Sequence, residues 1–310
     1  MGAEFVRFSL TPMLIGVLAS LACALPGNFL VLRRQALIGD AISHVVLPGI
    51  VVAFLATGSR SAMPMLAGAA GAAVVAVLLI EAVKRLGRIE PGAAMGVVFT
   101  ALFAFGVLLL EQSDTSKVHL DVEHALMGNL ESLVWLQARD WGSLLDPAAL
   151  SRLPPELGRM AAVCALIAAL TLLFWRPLKI STFDGGFARS LGLPTAAIGV
   201  GLVLASALAA VAAFDAVGSI IAIAMFVCPP AAARLTTDRL HLQVWCSLAF
   251  AALSAVLGYV LAGYGPLWLG AETSVSAAGM IAAVSGAILA LCCRFGPCRT
   301  GTAVRQRESL

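Results

Sequence analysis

Asp40 and His44 stand four residues apart in Leu37 to Leu55, a run otherwise free of charge. In a helix they share one face. A carboxylate and an imidazole together are oxygen and nitrogen donors suited to a divalent cation of the Mn, Fe or Zn type. Two donors do not close a site, and a two-fold dimer would bring two of each. The plainer alternative is a buried Asp–His hydrogen bond that only fixes the helix. Pro48 follows His44 by four residues, so it has no N–H for the His44 carbonyl and kinks the helix beside the pair. Pro229 and Pro230 do the same to the carbonyls of Met225 and Phe226. Broken helices are tolerated at membrane depth where they line a cavity, and a packing kink is the alternative.

Two more acidic side chains have apolar surroundings. Asp215 stands where one apolar run gives way to the next and is a candidate additional residue of a cation path. Glu81 has Arg85 four residues on, a spacing at which helical side chains pair. An ionised group in a membrane costs at least about 2.5 kcal/mol, so each such residue is a functional candidate. There is no G-x-x-x-x-G-K-[ST] phosphate loop, no H-E-x-x-H and no G-x-S-x-G. Cys292, Cys293 and Cys298 form a C-C-x4-C cluster that matches no zinc spacing, and reduced thiols are the expectation. His119, Asp121, Glu123 and His124 cluster in a polar stretch, either a patch that recruits cations or contacts a partner, or a solvated acidic loop.

These residues belong to a chain whose outer surface must be lipid. Of its 310 residues 60% are hydrophobic and 12% charged, with a mean hydropathy of +0.97. A soluble domain carries about 25% charged residues. The net charge of +3 is too small to read as a nucleic-acid footprint. Apolar runs of the length a span needs are Pro12–Leu32, Leu37–Leu55, Ala62–Val83, Gly92–Leu110, Met160–Trp175, Thr195–Phe214, Ala216–Ala233, Val244–Ala262 and Ser276–Leu291. The fold class is therefore an all-α membrane protein: a single multi-span bundle over residues 1–310, with eight or nine transmembrane helices. The pairs Ala67/Gly71 and Gly68/Ala72 let helices approach closely in lipid.

Most of the 20 basic residues fall in alternate connections, at Arg33–Arg34, Lys84–Arg88, Arg176–Arg189, Arg234–Arg239 and Arg294–Arg307. The positive-inside rule puts these in the cytoplasm, with the C-terminal tail at 294–310. The long stretch 111–159 then faces outward. The connection at 177–194 carries a short helix, Phe183 to Leu191, stopped by Gly192 and Pro194. Phe187 and Leu191 share a face with Arg189 beside them, an apolar patch with a basic rim that suits docking.

From Arg33 to Gly49 the chain reads R-R-Q-A-L-I-G-D-A-I-S-H-V-V-L-P-G. This resembles the signature of the permease subunits of bacterial manganese, zinc and iron ABC importers. Gly92–Leu110, Asp121–Leu130, Phe183–Pro194 and Phe214–Leu240 are similar to further elements of that family, so the resemblance covers about residues 12 to 295. Val45 replaces the family's usual Ala, and Asp215 stands where many relatives carry Gln or Glu.

The resemblance implies a type II importer fold in the bacterial inner membrane. It implies a second permease subunit, identical or paralogous, two cytoplasmic ABC ATPase subunits and an extracytoplasmic metal-binding protein. By resemblance Asp40 and His44 are the cation-coordinating pair. Phe183, Asp184, Phe187, Ala188, Arg189, Leu191 and Gly192 belong to the coupling element that meets the ATPase. No permanently bound cofactor is implied: the metal is cargo and ATP is hydrolysed by the partner. The alternatives are an iron-chelate permease of the same fold, which would not need the Asp40/His44 pair, and a membrane-embedded metal-dependent enzyme.

Overall fold

Long apolar stretches become helices here because in lipid each backbone N–H and C=O must be satisfied within its own segment. The computed structural model describes residues 2–58, 62–112, 130–138, 140–268, 270 and 275–297. Helix α1 is Thr11–Leu32, α2 Ile38–Thr57, α3 Ala62–Gly87 and α4 Pro91–Gln112. They are followed by α5 Pro155–Leu173, α6 Trp175–Phe183, α7 Gly185–Ser190 and α8 Thr195–Val217. The last three are α9 Ser219–Thr236, α10 Leu240–Trp268 and α11 Ala277–Phe295. His119, Asp121, Glu123, His124, Cys298 and the basic residues Arg299, Arg305 and Arg307 lie outside the described residues.

Among the described residues, 8 helices are long and apolar enough to cross a membrane. The ninth expected span is α2. It is helical throughout Ile38–Thr57, and among the described residues its Pro48–Thr57 part is an apolar helix shorter than those eight. Between α8 and α9 stands Gly218 alone, at φ 85°. An L side chain rarely adopts that value, so the break needs glycine.

Helix α1 is the core. Every residue from Ala22 to Leu30 is buried, and α5, α8, α9 and α10 pack around it. Helix α11 closes over α9 and α10, while α2, α3 and α4 form a group joined to the rest chiefly through α8. Several polar side chains inside the bundle are satisfied locally, although the buried Ser247 Oγ has no hydrogen-bond partner among the described residues. Ser20, Thr171, Ser206 and Ser254 donate to the carbonyl one turn back in their own helices. Asn28 donates to the Ala24 carbonyl at 2.7 Å and accepts from Gln243 Nε2 at 3.3 Å, which pins α1 to α10.

Only one of the two small-residue pairs makes a helix crossing. A Cβ on Gly49 of α2 would lie 2.5 Å from the Gly68 carbonyl oxygen and 2.7 Å from the Ala72 methyl. Gly71 has nothing within 4 Å of that position, and Ala67 is exposed. In α9, Pro229 and Pro230 are buried, and the Phe226 carbonyl lies 2.5 Å from where a Gly27 Cβ would be, so this kink seats α9 on α1.

The described part of the stretch 111–159 carries short helical turns at Leu130–Ser132, Trp141–Leu145 and Pro147–Leu150. Helix α5 begins at Pro155 rather than Met160, its first turns carrying a Glu156–Arg159 pair at 2.8 Å. Trp135 is buried with Val6, Ala138 and Ala149 and donates its indole N–H to the Ala149 carbonyl. Its backbone N–H reaches the Arg7 carbonyl at 2.9 Å, tying this segment to the N-terminal end of the bundle.

Candidate metal pathway

Helix α2 divides into two stripes. Ile38, Ala41, Ile42 and Val45 are buried, at the spacing of one helix face. Leu37, Asp40 and His44 lie on the other side, with Leu37 65% exposed. His44 Nε2 stands 3.6 Å from Asp40 Oδ1, and the two side chains are 39% and 43% exposed. That separation is beyond hydrogen-bonding range, and the pair is not buried within its own chain. An ion about 2.1 Å from each atom spans the gap. Asp40 is in the first turn of α2, where the helix dipole favours a carboxylate.

Helix α4 fixes the imidazole. The His44 ring stacks on Phe99 at 5.4 Å and 22°, and Phe103 meets it edge-on at 5.6 Å and 80°. Lower on the same contact, a Cβ on Gly106 would be 2.9 Å from the Pro48 ring. Glycine there lets α4 seat directly on the proline. Phe99 and Phe103 were missed in reading the sequence. Their i,i+4 spacing is visible there, but what they face is not.

Asp215 is placed elsewhere. Its Oδ2 is 3.2 Å from Arg159 Nη2, which also holds Glu156, and both side chains of the Arg159–Asp215 pair are 30% exposed. Among the described residues no three His, Cys, Asp or Glu side chains gather closely enough to hold a metal ion, so Asp215 does not complete the Asp40/His44 pair. Glu81 is held by both Lys84 and Arg85. Cys292 and Cys293 are free thiols.

The short helix expected from Phe183 starts two residues later. Asp184 is the N-cap of α7, its Oδ1 accepting from the Phe187 N–H at 2.8 Å. An aspartate cap is strongly preferred, and α6 has already used Phe183 as its last residue. At the other end the Leu193 N–H reaches the Ala188 carbonyl and the Gly192 N–H the Arg189 carbonyl, with Gly192 at φ 75°. Ala188 is fully buried and anchors the helix, while Phe183, Phe187 and Leu191 are 57%, 54% and 54% exposed.

A bundle of apolar helices long enough to cross a membrane, with a carboxylate and an imidazole exposed on one of its helices, is the frame of a membrane protein, and its relatives give its class. The model of the ABC 3 transport family matches residues 6–139 and 149–294, and the chain belongs to that family. It is the permease subunit and not itself an ATPase. It is 40% identical over 282 residues to the manganese transport system membrane protein MntD of Bacillus subtilis, covering 91% of this chain and 90% of that one. It is 37% identical over 285 residues to the zinc transport system membrane protein TroD of Treponema pallidum, covering 92% and 73%. Its fold is similar to PsaBC from Streptococcus pneumoniae, solved in complex with Fab, at a TM-score of 0.73 and 25% identity over 96% of this chain and 95% of that chain.

Proposed function

We propose that this chain is the membrane subunit of an ATP-driven importer of divalent manganese, zinc or iron, and that the cation crosses between two permease copies at Asp40 and His44. The observation that carries this is the exposure of a carboxylate and an imidazole, 43% and 39%, on a helix within an apolar bundle. Such groups do not face lipid: they face protein or a water-filled path. A second copy across a two-fold axis covers them and raises the donor set to two carboxylates and two imidazoles. Oxygen and nitrogen donors suit Mn, Fe and Zn, and their small number favours release over retention.

In this reading α7 docks on the ATPase through Phe183, Phe187 and Leu191, with Arg189 at the rim. The basic connections lie in the cytoplasm and the segment around Trp135 faces the metal-delivering protein. Asp215 serves as an ion-pair latch to Arg159 rather than as a ligand. Its removal is expected to cost stability before it costs metal affinity.

The test is metal uptake by cells producing Asp40→Ala or His44→Ala at normal membrane levels. Uptake of manganese, zinc or iron is expected to be lost in both. Wild-type accumulation would sink the assignment. Chelated iron carried at the wild-type rate by both variants would favour the chelate-permease reading.

A further inference from the structure

We propose that Arg33 is the positioning residue that ties the coupling segment to the metal-bearing helix. This rests on the reading that α7 meets the ATPase and that α2 holds the cation. Arg33 caps the C-terminus of α1, its N–H on the Phe29 carbonyl at 3.0 Å, in the corner from which α2 starts. Its guanidinium donates through Nε to Thr182 Oγ1 at 3.0 Å and through Nη2 to Ser181 Oγ at 2.8 Å. Both hydroxyls belong to the last turn of α6, directly ahead of Asp184, the N-cap of α7. Ser181 spends its own proton on the Pro177 carbonyl at 2.6 Å, which leaves its oxygen free to accept.

One planar group thus joins two parts of the chain 148 and 149 residues apart in sequence. The corner it sits in is short and internally bonded. The Gln35 N–H returns to the Leu30 carbonyl at 2.8 Å and the Ile38 N–H to the Gln35 carbonyl at 3.1 Å. A displacement of Arg33 is therefore passed to the first turn of α2, where Asp40 lies, instead of being absorbed by slack chain. Arg33 also borders a cavity of about 160 Å³ with Gln35, Glu81, Lys84 and Thr195, so the corner has room to move. Burial lowers the pKa of Arg33 from its ordinary value. The group still stays a cation, and its fork geometry can reach two hydroxyls at once. A lysine cannot reproduce that.

The test uses the assembled complex with its ATPase in proteoliposomes, measuring metal uptake and ATP hydrolysis on the same preparation. Arg33→Ala is expected to lower metal carried per ATP hydrolysed by roughly tenfold with hydrolysis nearly unchanged. Ser181→Ala/Thr182→Ala, which removes only two oxygens from an interfacial helix, is expected to do the same. The combined variant should fall no further, because all three changes cut one link. Arg33→Lys should recover only part of the coupling. Uptake and hydrolysis falling in equal proportion, losses that multiply, or coupling that survives in both variants would each overturn the tie alone. A wild-type complex that hydrolyses ATP but moves no metal would overturn the importer reading and the tie with it.

Discussion

The Nε2 of His44 faces Oδ1 of Asp40 across 3.6 Å on the outward side of α2, a gap wider than a hydrogen bond. Neighbouring contacts hold the pair in that relation. Phe99 stacks on the imidazole, and Pro48 one turn below is pressed by Gly106.

The stacking gives the first prediction. Phe99→Ala frees the imidazole to leave its orientation. Aromatic pairs contribute about 0.5–1.5 kcal/mol beyond their buried area, so the KM for metal uptake should rise roughly three- to tenfold. Phe99→Tyr, which keeps the ring, should stay near wild type. Uptake kinetics on vesicles with matched permease content check both, and an unchanged KM in Phe99→Ala would show that the stacking does not position His44.

The α2–α3 crossing gives a stability prediction with its own control. Gly49→Ala forces a methyl to 2.5 Å from the Gly68 carbonyl oxygen, whereas Gly71→Ala meets nothing within 4 Å. Overpacking typically costs about 1–3 kcal/mol. The Tm of the detergent-solubilised protein should drop for Gly49→Ala and hold for Gly71→Ala. Equal behaviour would mean that the crossing lies elsewhere.

Asp215 separates latch from ligand. Asp215→Asn loses the ion pair to Arg159, a partly exposed contact of the kind that contributes about 0.2–1 kcal/mol. A small fall in Tm with less than a twofold change in metal KM is expected, against a large KM increase in Asp40→Asn. A KM increase as large as that of Asp40→Asn would return Asp215 to the cation path.

The cap of α7 is the fourth test. Asp184→Ala removes the acceptor of the Phe187 N–H, and losing such a cap costs about 1 kcal/mol of helix stability. Co-purification of the ATPase subunit should weaken, and weaken further in Phe187→Ala, which removes an exposed apolar side chain. Full recovery of the ATPase with both variants would place its contact on another segment.

Much of this was legible from the sequence, for identifiable reasons. Apolar runs mark spanning helices because lipid leaves the backbone no other way to satisfy itself. Asp40 and His44 stood out because ionisable groups have no innocent place there. Their shared face followed from the four-residue spacing, whereas its direction is set by the burial of Ile38, Ala41, Ile42 and Val45 on the opposite side.

What stayed hidden depends on tertiary contacts. Ala67/Gly71 and Gly68/Ala72 are equivalent as patterns, and only the docking of Gly49 chooses between them. Asp215 reads as an intramembrane charge until Arg159 arrives from the far end of another helix. Arg33 reads as one more basic residue at a membrane face, and its hydroxyl partners lie across the fold. The start of α7 is a local signal, because Asp184 is a better cap than Phe183 on side-chain chemistry alone.

The most direct measurement is equilibrium metal binding by the purified complex, with Mn2+ or Zn2+ counted by mass spectrometry after dialysis. One ion per pair of permease chains is expected for the wild type at saturating free metal, held weakly enough to be released, with binding at least roughly tenfold weaker in both Asp40→Ala and His44→Ala. Wild-type metal content in either variant, with the complex intact, would contradict the assignment of these two residues as the cation's ligands.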